Sequence, residues 1–150
     1  MGFTRLTADD AFWRPSNQMK VENTDLAGQL QATKLGMRLW RLAPGQASTW
    51  HRHRGEEELY VLLEGTGRIR IEGSESLTLG PMDSLLIEPT TLRQVFNDTD
   101  ADALWLVAGA PPDFEKGAST LSMDEKTLAY MYPDGPKALP PELGGGEFAA

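Results

Sequence analysis

No cysteine occurs in the 150 residues, which excludes a disulfide framework, a thiolate nucleophile and every Cys-ligated zinc or iron–sulfur site, and suits a reducing compartment. Histidine is nearly as scarce, with 2 in the chain, so metal ligation is left to those two and to Asp and Glu. Basic residues are the minority: 14 Lys and Arg against 22 Asp and Glu give a net charge of −8. That balance opposes binding to a phosphate backbone or an anionic membrane surface, because such affinity comes from cations displacing counterions. We expect no nucleic-acid partner. Long apolar runs are missing too. The longest, Ala103 to Ala110, falls far short of the ~20 residues of a membrane span, and residues 1–20 are interrupted by Arg5, Asp9, Asp10, Arg14 and Lys20, which leaves no apolar core for a secretory signal. The expected location is cytoplasmic, with no membrane association. Gly-x-Ser-x-Gly elbows, phosphate-binding loops and dinucleotide fingerprints are absent as well, so serine-hydrolase, nucleotide and Rossmann chemistry lack support.

What is present fits one domain with a core of its own. Residues 1–34 carry no sustained hydrophobic period, although Thr7 to Asp10 followed by Ala11-Phe12-Trp13 can cap one short helical turn. They read as an arm packing on the domain. Over residues 35–112 the pattern changes to short apolar runs: Leu35 to Leu42, Leu59 to Leu63, Arg68 to Ile71, Leu77 to Leu79, Ser84 to Ile87, Arg93 to Asn97 and Leu104 to Ala108. Each ends in Gly, Pro, Asn or Asp, which supply the dihedrals of tight connections. Short strands at such spacing predict a closed or sandwiched antiparallel sheet. Residues 113–150 hold one expected helix, with Ser122 to Glu125 read as a capping box before Lys126 to Met131, and then an extended Pro- and Gly-rich tail.

The chemistry concentrates between the first two of those strands. In His51-Arg52-His53 a spacing of two puts both imidazoles on one face of a strand and turns Arg52 and Arg54 away. In the next strand Glu58, Tyr60 and Leu62 share one face by the same alternation, which aims a carboxylate from a neighbouring strand at the two imidazoles. Without a partner pattern, His-x-His beside Glu56, Glu57 and Glu58 would read as surface decoration; the Glu56 to Glu58 run reads mostly as a solvated loop, with only Glu58 turned inward.

The spacing Gly45, five residues, His51, one, His53, four, Glu58, six, Gly65 resembles the first conserved motif of the cupin superfamily at every fixed position. The resemblance covers roughly Gly36 to Gly109 and implies an all-β, cupin-type antiparallel β-barrel, the double-stranded β-helix or jelly roll. In metal-binding cupins the residues at the positions of His51, His53 and Glu58 ligate one divalent ion, and a His of a second motif completes the set. Here the second motif departs: aligned on Asn97, the fourth position holds Arg93, with Thr90, Glu88 and Met82 in place of its Gly, Pro and Gly. A fourth protein ligand would have to be a carboxylate, Gln94 or a similar group.

Two readings follow. In one, His51, His53 and Glu58 hold Fe, Mn, Ni or Zn as a facial triad, and Arg93 orients a small anionic substrate through its planar fork. The resemblance then implies a cupin oxygenase, decarboxylase, isomerase or lyase. In the other, Arg93 pairs with Glu58 and no metal is bound, since a guanidinium about 5 Å from a divalent ion is repelled by roughly 6 kcal/mol at an effective dielectric near 20. The chain is then an isomerase- or epimerase-like enzyme using a His as general base with Glu58 or Tyr60 as its partner, or a non-enzymatic binding module. Arg38 could join Arg93 at the anion. Trp40, Trp50 and Trp105 read as core, and Arg68 and Arg70 as the wet face of a strand. Leu59 to Leu63 is apolar on both faces, so a second layer covers the strand, and a homodimer is the expected partner.

Overall fold

The computed structural model describes residues 2–114 and 122–149. Residues 115–121 of the expected C-terminal segment, and both terminal residues, lie outside the described residues. Among the described residues, nine strands form two antiparallel sheets. Of these, β3 (Gly36–Leu42), β4 (Glu57–Glu64), β5 (Gly67–Ile71), β6 (Leu77–Leu79), β7 (Ser84–Ile87), β8 (Arg93–Phe96) and β9 (Ala103–Ala110) fall on the seven apolar runs. The larger sheet has six strands in the order β1-β2-β3-β9-β4-β7, with β1 (Arg14–Pro15) and β2 (Glu22–Asp25) at one edge; the smaller has three in the order β6-β5-β8. The segment before β4 lies along β8 through bridges from Ala47 to Phe96 and from His51 to Arg93.

This is the antiparallel jelly roll that the resemblance implied. Between the sheets Leu42, Leu62, Ile69, Val95 and Trp105 form one buried cluster with Tyr60 and Val107. Along β4 the burial alternates, with Glu58, Tyr60 and Leu62 buried and Glu57 and Leu59 exposed, as a strand facing a core on one side requires. The glycines that bound the first motif have a local reason: Gly45 and Gly65 adopt φ of 84° and 81°, in the left-handed region that other residues avoid.

The N-terminal residues do more than pack on the domain, because β2 extends the larger sheet by pairing with β3 from Glu22↔Arg41 to Asp25↔Arg38. Its sequence is polar, yet Asn23 and Thr24 are buried. Asn23 donates to the carbonyls of Arg14 and Val21 and accepts from Arg38, and Thr24 accepts from Gln29, so the buried polar groups are satisfied. Asp25 then caps α1 (Leu26–Gln29).

At the other terminus α2 spans Glu125–Met131, and its cap is Asp124, which accepts from the Thr127 N–H. The capping box read at Ser122 is therefore displaced: the helix starts two residues later than the Ser-x-x-Glu pattern implied. The tail folds back in a bridge from Ala138 to Glu147 around a 3₁₀ turn at Pro141–Leu143. It covers the outer side of the smaller sheet, where Gln94 donates to the carbonyls of Ser48 and Ala138. Arg70 stacks on Trp50 at 3.9 Å and Arg68 on Phe96 at 5.1 Å on that same side, so this face is half-buried rather than wet. Among the described residues, no helix is long and apolar enough to cross a membrane.

Candidate metal centre

Three elements bring the candidate residues to one point. Backbone bonds exchanged between His51 and Arg93, and from the His53 N–H to the Pro89 carbonyl, fix the histidine segment against β8. Glu58 comes from β4 and Arg93 from β8. The expectation that both imidazoles share a face holds: the Nε2 atoms of His51 and His53 lie 3.4 Å and 3.2 Å from Glu58 Oε1. Arg52 and Arg54 turn away and stack on the Tyr130 ring, at 4.1 Å and 4.5 Å from its centroid. Tyr60 donates its hydroxyl to the same Glu58 oxygen at 2.9 Å.

The other ring nitrogens settle what the imidazoles offer. His53 Nδ1 is 3.1 Å from Asp113 Oδ2, and His51 Nδ1 is 3.0 Å from the Thr49 carbonyl oxygen. The Asp113 carboxylate and the Thr49 carbonyl only accept, so a proton on each Nδ1 satisfies them and turns the lone pair of each Nε2 toward Glu58; the Thr49 hydroxyl also lies 3.2 Å from His51 Nδ1. Three acceptors thus face one another in a buried place. His53 Nε2 has no hydrogen-bond partner there, and neither does Arg93 Nε. Such an arrangement is stable only with a cation between the acceptors, either a proton or a metal ion.

The charges lean the same way. Burial would raise the pKa of Glu58, but the two histidines beside it outweigh burial and hold it well below the ordinary carboxylate value. For His53 burial disfavours the charged form, yet Glu58, helped by Glu56, raises its pKa above the usual histidine value. Tyr60, buried next to that carboxylate, is held well above the ordinary phenol range.

The donor set fits a divalent transition metal. His51, His53 and Glu58 each present one ligand atom, all within 4.8 Å of one another. Ligands bound at about 2.1 Å stand roughly 3–3.5 Å apart around an ion, which matches the separations of both Nε2 atoms from Glu58. The Nδ1 contacts to Thr49 and Asp113 supply the outer hydrogen bonds that orient metal-binding imidazoles.

Arg93 is wholly buried, and its fork is turned into the chain: Nη1 donates to the Pro89 carbonyl and Nη2 to those of Glu88 and Ile87, at 3.3, 3.0 and 3.5 Å. Nε stands 3.7 Å from Glu58 Oε1. This placement ties Arg93 to Glu58 and leaves its fork no free edge for an anion. Arg38 does not join it, being bonded to Asn23 and Asp25 across β2. Gln94 points to the outer face and is no ligand. A surface hollow of about 460 Å³ touches Trp50, Arg70, Glu72, Glu75 and Glu142; it lies behind the smaller sheet, away from the histidines, so the chemistry of the site does not reach it.

Two residues escaped the sequence reading. Glu56 is half-buried, with Oε2 3.6 Å from His53 Nε2. A Cβ built on Gly109 would meet its carboxyl at 2.9 Å, so the glycine is what gives that side chain room. Asp113 reaches His53 from 60 residues away, a distance no local pattern reveals.

Comparison with known proteins agrees with this geometry. The family model described as "Cupin domain" matches residues 38–109. A β-D-galactosidase of Mycobacterium tuberculosis is 35% identical over 116 residues, covering 75% of this chain and 96% of that protein. Among solved structures, a cupin sugar phosphate isomerase of Silicibacter pomeroyi superposes with a TM-score of 0.64 at 22% identity, over 73% of this chain and 76% of its own. A predicted oxalate decarboxylase of Thermotoga maritima gives 0.63 at 20% identity, over 73% of this chain and 100% of its own. At these identities the two structures speak for the fold.

Proposed function

The chain belongs to the cupin superfamily, and from that premise we propose that it is a carbohydrate-active enzyme which holds one divalent metal on His51, His53 and Glu58 and acts on a β-galactoside. The observation that carries the metal is the convergence of two imidazole lone pairs on a buried carboxylate, with His53 Nε2 unpartnered. Fe, Mn, Ni and Zn all accept such ligands. What supports the substrate class is the galactosidase relative, which the chain covers almost from end to end.

A bound ion would supply Lewis-acid polarisation of a substrate oxygen or activation of water. The protein's own residues do the rest. Tyr60 fixes Glu58 by its hydroxyl, and Arg93, with Nε 3.7 Å from that carboxylate, balances its charge. Glu56, beside His53, is placed to accept a hydrogen bond from a sugar hydroxyl. Because the fork of Arg93 is already bonded, the argument for an anionic substrate loses its carrier, and a neutral glycoside suits the site better.

One observation favours a second reading: Arg93 Nε lies 3.7 Å from Glu58 Oε1, as a metal-free ion pair requires. In that case His53 and Glu58 act as an acid–base pair on a sugar, or the site only binds its ligand. Hydrolysis of nitrophenyl β-D-galactoside by tag-free protein, before and after chelation and after metal is added back, separates these. Loss and recovery of turnover are the expected results. Turnover untouched by chelator supports the metal-free enzyme, and galactoside binding without turnover supports the binding module.

The exposed apolar side chains of Leu35, Leu59 and Leu86 on the outer face of the larger sheet support a homodimer through that face. Light scattering of Leu86→Glu against the parent protein tests this; a monomeric variant is expected.

A further inference from the structure

We propose that Asp113, which lies beyond the matched barrel domain, is the residue that positions this site, by fixing the tautomer of His53 and the turn that carries Glu56. Its side chain is 7% exposed and takes four donors. Oδ2 accepts from His53 Nδ1 at 3.1 Å and from the Arg54 N–H at 2.8 Å. Oδ1 accepts from the N–H groups of Gly55 and Glu56, at 2.8 Å and 3.0 Å.

A turn cap needs only the three backbone contacts. The fourth, to the imidazole, is of another kind. It compels Nδ1 to carry the proton and so keeps the lone pair of Nε2 pointed at Glu58, where an ion would sit. The same carboxylate sets the backbone of Glu56, whose side chain reaches His53 Nε2 from the opposite side to Asp113. One residue from outside the barrel thereby aligns two groups on the segment between the histidines and β4. The metal part of this inference rests on the reading above; the tautomer part does not.

Asp113→Asn keeps the shape but replaces one acceptor by an amide N–H₂, and with that group toward His53 the ring must protonate on Nε2. Long-range ¹H–¹⁵N correlation spectra of the imidazoles, recorded on metal-free protein at a pH above the histidine range, read the tautomer directly. Zn²⁺ affinity by competition with a chromophoric chelator is the second readout, and the melting temperature the third. The expected results are an Nδ1–H His53 in the parent protein and a shift toward Nε2–H in Asp113→Asn. Zn²⁺ binding is expected to weaken 10- to 100-fold, with partial recovery in Asp113→Glu.

A purely structural role would lower the melting temperature and leave tautomer and Zn²⁺ affinity as they were; that result overturns the proposal. If Asp113→Asn does not fold, the parent spectrum still decides, because an Nε2–H His53 there contradicts the assignment. A parent protein that binds no Zn²⁺ but shows the tautomer shift supports Asp113 as positioning residue and removes the metal reading alone.

Discussion

Along β4 the inward side chains run from Glu58 through Tyr60 to Leu62, and opposite them on β9 stand Gly109, Val107 and Trp105 in register. The two ends of one barrel therefore have opposite chemistry. At the dry end, Trp105 and Leu62 are fully buried with Ile69 and Val95. At the wet end, an almost equally enclosed space holds two imidazoles, a carboxylate and a guanidinium. A glycine makes room at each end, for different reasons. Gly67 lies against the Trp105 indole, where a built Cβ would fall 2.5 Å from the ring, whereas Gly109 faces the carboxyl end of the Glu56 side chain. The lesson is that stability and chemistry occupy different ends of the same strands, so they can be perturbed separately.

The strongest way to break the dry end is Trp105→Ala, which removes a side chain of 0% exposure and is expected to cost about 3–5 kcal/mol in denaturant unfolding. His53→Ala at the wet end is expected to abolish metal binding and turnover while lowering stability by much less. Similar losses of stability in the two variants would mean that the ends are not separable.

The paired glycines sharpen the contrast. Gly67→Ala drives a methyl into a rigid indole and is expected to cost about 1–3 kcal/mol, read by denaturant melts. In Gly109→Ala the neighbour is the far end of a flexible side chain, so less than about 1 kcal/mol is expected. Its effect is to displace Glu56, and a raised KM at little change in melting temperature is the predicted signature.

A smaller effect comes from pH. His53 has a raised folded-state pKa, so its contribution to the metal-free protein is complete below the ordinary value of 6.5 and fades as pH rises through the raised one. Glu58 has a lowered pKa, so its contribution is present above the ordinary 4.5 and is lost only as strong acid protonates it. Metal-free protein is therefore expected to be most stable between those limits and to soften toward alkaline pH in thermal melts. Excess Zn²⁺ should abolish the alkaline decline, because the ion takes the place of the proton.

How far the molecule was legible in its sequence follows from the range of each interaction. Strands β3 to β9 were readable because apolar runs and Gly or Pro punctuation are local, and the alternation of Glu58, Tyr60 and Leu62 placed the carboxylate on the inner face. Strand β2 was not, since Glu22-Asn-Thr-Asp25 has no apolar alternation and is buried through hydrogen bonds to Arg14, Gln29 and Arg38. The side-chain direction of Arg93 was equally hidden: its partners are the carbonyls of Ile87, Glu88 and Pro89, and a turn's carbonyls leave no mark in the residue letters. Glu56 read as solvated until Gly109 proved to be its neighbour, and Asp113 drew no reading, because only the path of the chain beyond β9 brings it to His53.

The central claim is that the wet end is a metal centre, and the most direct test is the metal content of tag-free protein by elemental mass spectrometry, with His53→Ala as its control. Close to one transition-metal ion per chain in the parent, and loss of that ion in the variant, is the predicted result. Protein that contains no metal and takes up none after incubation with Fe²⁺, Mn²⁺, Ni²⁺ or Zn²⁺ would contradict it and leave the proton as the cation between His53 and Glu58.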